Sequence, residues 1–325
     1  MKFLVTEKLI KWSTVDCGHW TFFKVIFSLT KIRFTFNLEL GTLNIKPQTS
    51  NGKQLYSDDG FSITATEPWF KVKVQLLLSY IQSFTVNVSG KADEIVFVDL
   101  FSGSGLYSVG HQKEIFQGTC LASLSSDLPI TKWIFCEQDL QQAKALKIRV
   151  NKYHREKNVV IFDSPLDELI DKFRSYIPPS KGGHKVAVLC LIDPFSVDIP
   201  FATIDKLSGL GFSFLMPFTF MISNRLNHRY YLHDNPEKFK RYVGTGNFER
   251  MQSVESNEQF YKRLVRLYQN SMLVTGLNSA ISTHKLDSKL MDLPAYSIGF
   301  FSKHFSSRAI QSEIKVSEHL QFELF

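Results

Sequence analysis

The chain has 325 residues, of which 44% are hydrophobic and 21% are charged, with a formal net charge of +7 and a pI near 9.1. This length and apolar content predict one elaborated globular domain, or one domain with an appended piece, and exclude a chain that is mostly disordered. The four cysteines form no Cys-x-x-Cys pair, which argues against a zinc ribbon and a disulfide scaffold and favours small buried thiols.

The sequence gives no sign of a targeting or membrane segment. Glu7 and Lys8 interrupt the apolar run at the N-terminus before it reaches the length of a secretory signal. The longest apolar stretch, residues 211–222, contains Pro217 and is too short to cross a bilayer. We therefore expect a soluble, cytoplasmic protein with no membrane partner.

Residues 1–55 differ in pattern from the rest and are predicted to be an N-terminal extension. Apolar residues alternate with polar ones over 34–40, which is typical of a strand, and the polar stretch 48–52 is a candidate linker. The extension carries no recognisable chemistry, and its pattern fits either a small strand pair or a poorly ordered segment. Residues 56–325 are predicted to form the main domain.

The main domain reads as strands that alternate with helices. A helix is predicted from Trp69 through Phe84, with Pro68 suited to its first turn and Trp69, Val72, Leu76 and Tyr80 at helical spacing. Further helices are predicted over 140–153 and 166–176, and strands over 95–98, 133–136, 159–162, 186–192, 212–220 and 296–301. This alternation predicts an α/β fold with a doubly wound, mostly parallel sheet. About 75 residues follow Ser223 before the last strand, too many for a simple crossover, and predict an inserted helical subdomain at about 224–290.

The segment 95–105 is an apolar strand that ends in Asp99 and runs directly into a turn with Phe101, Gly103 and Gly105. In open α/β sheets ligands bind beyond the carboxyl ends of the strands, and glycines without a Cβ let a ligand approach the backbone. A dinucleotide fingerprint requires a third glycine where Ser108 stands. The turn more closely resembles the first motif of class I S-adenosylmethionine-dependent methyltransferases. The alternative is a glycine-rich turn that binds nothing.

Acidic residues also follow the second and third strands. Glu137 is placed to accept hydrogen bonds from the ribose hydroxyls of a nucleoside, if an insertion lengthens the chain between about residues 106 and 129. The alternative is a solvated Glu137 with Asp139 as the N-cap of the next helix. Asp163 is a candidate contact for an adenine amino group, or an N-cap for the helix that starts near Pro165.

The fourth strand delivers Asp193, Pro194 and Phe195, which we take as the candidate catalytic residues. The tripeptide resembles the Asp/Asn/Ser-Pro-Pro-Tyr/Phe motif of amino-group methyltransferases, in which the polar side chain and a proline carbonyl hold the target amine and the aromatic ring stacks on a flipped base. Here the second proline is missing. The alternative is a rigid turn whose aspartate binds backbone.

The predicted insert interleaves cations with aromatic residues, a pattern that suits phosphates and stacked bases. The cations are Arg225, Arg229, Lys238, Lys240 and Arg241. The alternative is a packed aromatic face opposite a solvated basic face. No metal-ligand spacing, nucleophile elbow or P-loop occurs, so no metal is predicted, and hydrolase and NTPase functions are disfavoured.

These motifs, in this order, resemble the bacterial three-Cys-motif partner protein (TcmP) family over about residues 69–310. The matching segments are the helix at Lys73, Leu77 and Tyr80, the turn 99–107, Gly118-Thr119, the tripeptide 193–195, and the closing segment Tyr296 with 300–304. The sequence departs from the family pattern at Leu100, Ser102, Thr119 and Ser196. The resemblance implies a Rossmann-like, methyltransferase-type domain, a relation to phage proteins, and a partner protein with a three-cysteine motif.

The function that these observations favour is an S-adenosylmethionine-dependent methyltransferase, with nucleic acid as the acceptor. Asp99, Phe101, Gly103, Gly105, Glu137 and Asp163 are then the expected cofactor-binding residues. The competing prediction is a non-catalytic partner or scaffold module of a three-Cys-motif protein in a phage-related or defence system.

Overall fold

The computed structural model describes residues 13–17, 20–24, 56–197, 199–251, 253–311 and 314. The chain divides into two compact units, residues 1–47 and 48–325. In the first unit, β1 (Ser13–Cys17) and β2 (Trp20–Lys24) pair antiparallel, with Ser13 opposite Lys24. The alternating stretch 34–40 and the polar stretch 48–52 lie outside the described residues.

The second unit alternates strands and helices as predicted. In chain order its elements are β3 (Thr64–Thr66), α1 (Trp69–Val88), β4 (Glu94–Asp99), β5 (Leu106–Val109), β6 (Glu114–Gln117), α2 (Thr119–Ser125), β7 (Lys132–Cys136), α3 (Leu140–Tyr153), β8 (Val159–Phe162), α4 (Leu166–Tyr176), β9 (Val186–Leu191), α5 (Phe201–Gly209), β10 (Ser213–Pro217), α6 (Pro236–Val243), α7 (Thr245–Glu249), α8 (Asn257–Val274), β11 (Asn278–Lys285) and β12 (Ala295–Ser302). A π-helical turn, Tyr230–Asp234, precedes α6.

Seven strands form the central sheet, in the order β11-β12-β10-β9-β4-β7-β8. The pairs β10–β9, β9–β4, β4–β7 and β7–β8 are parallel, and β12 runs antiparallel to both of its neighbours. From β4 the chain first extends the sheet through β7 and β8, and then returns to the other side of β4 with β9. The strand order therefore reverses between β4 and β9, which is the topological switch point of a doubly wound sheet. The predicted fold class, an α/β Rossmann-like sheet, is confirmed.

The central strands are buried on both faces, which explains their nearly continuous apolar sequences. In β4 and β9 every residue after the first is buried. The thiols of Cys136 in β7 and Cys190 in β9 are buried as expected, and burial raises the pKa of each well above its ordinary value. The buried face of α1 differs from the predicted one, because Val72 is 53% exposed while Lys73 is buried.

The long connection between the glycine turn and β7 holds a small sheet and a helix. Strands β5 and β6 pair antiparallel, β3 joins β5 in parallel, and α2 follows. These elements account for the insertion that the distance between Gly105 and Glu137 required.

The segment 224–290 is helical only in part. The π-helical turn and α6 to α8 occupy 230–274, but residues 278–285 form β11, an edge strand of the central sheet. This strand was not predicted, because its sequence, NSAISTHK, alternates small and polar side chains instead of large apolar ones. Among the described residues, no helix combines the length and the apolar character that a bilayer crossing requires.

Candidate cofactor and acceptor site

The candidate site lies at the carboxyl ends of β7, β4, β9 and β10, which are consecutive neighbours in the sheet. Asp99 ends β4 and is in register with Phe135 of β7 and Leu191 of β9. Glu137 and Asp193 follow those two strands by one and two residues. The sheet therefore brings Asp99, Glu137 and Asp193 to one edge, and the charges of Glu137 and Asp193 both act on Asp99.

The turn after β4 is fixed by hydrogen bonds to the neighbouring strand. The N–H of Ser102 donates to the Cys136 carbonyl at 3.0 Å. The N–H of Gly103 donates to Glu137 Oε2 at 2.9 Å. Gly103 and Gly105 have φ values of +60° and +82°, a left-handed region that favours glycine. The turn is thus held against the end of β7, with Glu137 beside Gly103.

The two glycines have different surroundings. A Cβ at Gly103 would lie 3.2 Å from Tyr107 Oη, a tight contact, and 3.5 Å from Gln142 Oε1, so polar side chains lie over this residue. A Cβ at Gly105 would lie 2.7 Å from the Leu121 side chain, in the core. The positive φ and the tight contact with Tyr107 account for the glycine at position 103, whereas Gly105 is required for close packing of the turn against α2.

Asp99 is buried, with 3% of its surface exposed. Its Oδ1 accepts a hydrogen bond from the N–H of Phe101 at 3.1 Å. Burial raises the pKa of Asp99 to about 7, and the nearby Asp193 and Glu137 carboxylates also raise it. Asp99 thus helps to fix the conformation of the turn by accepting a hydrogen bond from the backbone of Phe101.

Glu137 is half-buried and accepts two backbone hydrogen bonds, from Gly103 to Oε2 and from Asp139 to Oε1 at 2.8 Å. Burial raises its pKa. Asp139 caps α3 as the alternative predicted, since its Oδ1 accepts from the N–H groups of Gln141 and Gln142 at 2.9 Å. Glu137 itself is not a simple solvated side chain, because it ties the glycine turn to the start of α3.

Asp163 follows β8, the next strand outward, and its side chain is 44% exposed. It pairs with Lys147 Nζ at 2.7 Å, and this hydrogen bond lowers its pKa. The alternative prediction that Asp163 caps α4 is wrong. The residue before α4 is Pro165, and no side chain caps that helix.

Asp193 makes three hydrogen bonds, all with side chains. Lys73 Nζ, from α1, lies 3.1 Å from Oδ1 and 2.8 Å from Oδ2. Thr219 Oγ1, just after β10, donates to Oδ1 at 3.0 Å. The alternative of an aspartate that binds the backbone of its own turn is therefore not what the structure shows.

The two residues after Asp193 differ in exposure. Pro194 is buried, whereas the Phe195 ring is 74% exposed. The backbone of Phe195 is held because its carbonyl accepts from the N–H of Met221 at 3.2 Å. Beside it, Lys238 Nζ donates to Ser196 Oγ at 3.3 Å. An exposed aromatic ring on a fixed backbone is available for stacking, and Lys238 contacts the residue that follows it.

The aromatic residues of the insert form a packed cluster. Tyr231, Phe239 and Tyr242 are buried against one another and against α8, where Tyr231 stacks on Phe260 with ring centroids 5.7 Å apart. These three rings are not available to stack on bases. Arg225, Arg229 and Arg241 are exposed, and Lys238 and Lys240 are half-buried. Lys240 also pairs with Glu237 at 2.6 Å. The structure therefore matches the alternative of a packed aromatic face and a basic surface.

Sequence reasoning assigned no role in the site to three residues: Thr219, and Lys73 and Tyr107, which entered only as matches to the family pattern. Tyr107 packs on Phe70 with ring centroids 4.2 Å apart, and burial raises its pKa well above the ordinary value. The available signal for Lys73 was a charged residue at core spacing, three residues after Phe70 and four before Leu77. Thr219 gave no signal, because a single threonine within an apolar strand is common.

Within the described part of the chain, no group of three or more His, Cys, Asp or Glu side chains is arranged to hold a metal ion. The three carboxylates at the sheet edge are instead engaged by backbone N–H groups, an ammonium and a hydroxyl.

No family model and no curated protein matches this chain. Solved structures match it at low similarity. A protein from Legionella pneumophila aligns over 76% of this chain and 91% of its own length, with a TM-score of 0.45 and 12% identity. Trm1 from Pyrococcus horikoshii, in complex with S-adenosyl-L-methionine, aligns over 73% of this chain and 57% of its own, with a TM-score of 0.41 and 11% identity. An S-adenosylmethionine-dependent O-methyltransferase from Thermotoga maritima aligns over 71% and 66%, with a TM-score of 0.35 and 11% identity.

Proposed function

We propose that this protein is an S-adenosylmethionine-dependent methyltransferase whose cofactor and acceptor meet at the carboxyl ends of β4 and β9. The observation that carries the proposal is the juxtaposition of two features at the switch point of the sheet. The glycine turn with Glu137 lies on one side, and the sequence Asp193-Pro194-Phe195 lies on the other. Ligands of doubly wound sheets bind at this place.

The residues present fit such a cofactor. Gly103 carries no Cβ, and the polar atoms nearest to it, Tyr107 Oη and Gln142 Oε1, are able to hydrogen-bond a ligand. The carboxylates of Asp99, Glu137 and Asp193 favour a ligand with positive charge and oppose the phosphates of a dinucleotide. S-adenosylmethionine, when bound, supplies a methyl group on a positively charged sulfur, and the electron pair of the broken C–S bond stays on that sulfur after transfer.

The roles of the chain's own residues follow from their positions. Glu137 has carboxylate lone pairs beyond those that Gly103 and Asp139 use, and these accept the ribose hydroxyls. Asp163, on the outer strand, accepts the adenine amino group while it keeps its contact with Lys147. Asp99 holds the backbone at Phe101, and Gly103 gives the ligand room.

For the acceptor, we propose a nucleic acid that presents an amino group or another nucleophile at Asp193. The exposed Phe195 ring supplies one stacking surface, and Lys238 donates a hydrogen bond to the adjacent Ser196. The cations of the insert, Arg225, Arg229 and Arg241 among them, would contact phosphates. Transfer of this kind requires mainly positioning, so Asp193 orients the nucleophile and forms no covalent bond with it.

The second candidate function is a non-catalytic module, as membership of the TcmP family would allow. A three-Cys-motif protein would then be the partner, and the glycine turn would serve as a nucleotide sensor or as part of the scaffold. The packed aromatic insert favours this candidate, since its rings stabilise the fold and are not open to bases. Partner binding that is unaffected by substitution of Gly103 or Asp193 would support it.

The decisive experiment is calorimetric titration of the purified protein with S-adenosylmethionine and with S-adenosylhomocysteine. We expect saturable binding of one molecule per chain. Glu137→Ala should weaken binding by roughly 10- to 100-fold, the equivalent of one hydrogen bond to a charged group. Glu249→Ala, which removes an exposed glutamate on α7, is the matched control and should bind as the wild type does.

Transfer is then measured with tritiated S-adenosylmethionine and single-stranded DNA and RNA oligonucleotides. Incorporation that Asp193→Ala abolishes, while cofactor binding survives, supports the enzyme. A folded protein that binds neither nucleoside refutes the methyltransferase and leaves the partner module as the better explanation.

A further inference from the structure

Asp193, the proposed contact of the methyl acceptor, is part of a buried charge cluster. This cluster includes a residue outside the sequence Asp193-Pro194-Phe195. Lys73 lies on α1, 120 positions before Asp193, and only 6% of its surface is exposed. Its ammonium group contacts both carboxylate oxygens of Asp193, at 3.1 and 2.8 Å, and Thr219 Oγ1 at 3.4 Å. Three separate elements, α1, β9 and β10, therefore converge on one carboxylate.

Aromatic side chains around Lys73 restrict the position of its ammonium group. Its Nζ lies 4.8 Å from the ring centroid of Phe70 and 5.6 Å from that of Trp69, within reach of cation–π attraction. A lysine so enclosed cannot turn outward to solvent without breaking these contacts. It differs in this from Lys71 on the same helix, which pairs with Glu114 at the surface.

The hydrogen-bond geometry limits what Asp193 can do. A carboxylate has about four lone-pair positions, and Lys73 and Thr219 occupy two on Oδ1 and one on Oδ2. One position on Oδ2 remains to accept a hydrogen from a ligand. The ammonium also compensates the charge that a half-buried Asp193 carries near Asp99.

We propose that Lys73 is a positioning residue for methyl transfer: it orients the Asp193 carboxylate and compensates its charge, which leaves one lone-pair position on Oδ2 to accept a hydrogen bond from the methyl acceptor. Thr219 fixes the other oxygen. This inference rests on the proposed function, because it concerns the acceptor side of the same site.

The pairing itself is tested by a double-mutant cycle of thermal unfolding at neutral pH, with Lys73→Met, Asp193→Asn and both changes together. Each single variant leaves a buried or half-buried charge without its partner and should lower Tm by roughly 6 to 15 °C. The double variant removes both charges, so its Tm should decrease by clearly less than the sum of the decreases in the two single variants. Lys71→Met is the matched control on the same helix and should show no coupling to Asp193→Asn. If the two decreases in Tm add in the double variant, Lys73 and Asp193 are not coupled, and the pairing is refuted.

The positioning role is tested by transfer to the oligonucleotides that the wild type methylates, with turnover divided by the number of sites that bind S-adenosylhomocysteine. Lys73→Met should lose about 100-fold or more in this normalised turnover, the cost of a misplaced group. Lys73→Arg should recover part of it. A merely structural role would lower the number of binding sites and leave turnover per site unchanged, which would refute the proposal.

The two proposals fail in different ways. If the wild type transfers methyl groups and Lys73→Met does so equally well per site, the positioning role is wrong and the methyltransferase stands. If the wild type binds no cofactor and transfers nothing, the methyltransferase is wrong, and the positioning role falls with it whatever the unfolding cycle shows.

Discussion

Replacement of Asp99 by asparagine should stabilise the protein at pH 7 and above, with an effect that becomes more favourable as the pH rises from 5 to 8. Asp99 is buried with a pKa of about 7, against an ordinary value of 3.8. The folded state therefore holds a proton that the unfolded state releases, and stability falls as the pH rises from about 4 to about 7. Above pH 7 the full cost applies, roughly 4 kcal/mol at 1.36 kcal/mol per pKa unit.

Asparagine avoids this cost at every pH, although its amide N–H groups need partners in a buried position, which costs about 1 to 3 kcal/mol. That second cost does not depend on pH. The difference in unfolding free energy between Asp99→Asn and the wild type should therefore grow by about 2 to 3 kcal/mol between pH 5 and pH 8. The hydrogen bond from the Phe101 N–H is kept, since the asparagine oxygen accepts it equally.

Urea unfolding, followed by tryptophan fluorescence at several pH values between 5 and 8, measures this difference by linear extrapolation. Asp171→Asn, at an exposed position on α4, is the control and should follow the wild type at each pH. If the difference in unfolding free energy between Asp99→Asn and the wild type stays constant from pH 5 to pH 8, Asp99 holds no extra proton in the folded state. The reasoning from its burial would then be wrong.

Three other changes test separate parts of the structure. Arg149→Met should destabilise by about 3 to 5 kcal/mol in urea unfolding, because Arg149 is fully buried and its bidentate pair with Asp59, at 2.7 and 2.8 Å, would lose one partner. Gly105→Ala should destabilise by more than about 2 kcal/mol, since its Cβ would meet Leu121 at 2.7 Å and φ is +82°; an unchanged unfolding midpoint would contradict the packing role. Phe195→Ala should leave stability within about 0.5 kcal/mol, because the ring is 74% exposed, and should weaken binding of single-stranded oligonucleotides by roughly tenfold in a fluorescence titration.

The regular elements were largely predictable, because their residues carry strong local signals. The helices α3 and α4 have the predicted bounds, 140–153 and 166–176, and β8 has the predicted bounds 159–162. The strands of the parallel core consist of continuous apolar runs, which a strand buried on both faces requires. The edge strand β11 lacks such a run, and its pairing with β12 depends on backbone hydrogen bonds that composition does not reveal.

The candidate site was predictable only in the parts that lie at strand ends. Asp99, Glu137 and Asp193 were found because each lies at or just beyond the end of an apolar strand, and parallel strands bring their ends to one edge. Lys73 was not found as a partner of Asp193, because the two lie far apart in the chain and only the packing of α1 on the sheet joins them. The glycine motif likewise did not reveal that Gly103 lies under the polar groups of Tyr107 and Gln142 while Gly105 packs in the core.

The charges at the sheet edge connect the stability of this protein with its proposed function. Asp193 and Glu137 both raise the pKa of Asp99, while Lys73 lowers it, so the carboxylates outnumber the compensating cation around that position. In the ligand-free protein such a cluster lowers the free energy of unfolding, and a bound cation would reduce that loss. A cofactor with a positively charged sulfur and an amino group meets this requirement. Asp99→Asn should accordingly combine greater stability of the free protein with weaker binding of S-adenosylmethionine, the exchange expected where a site is built for its ligand and not for the fold.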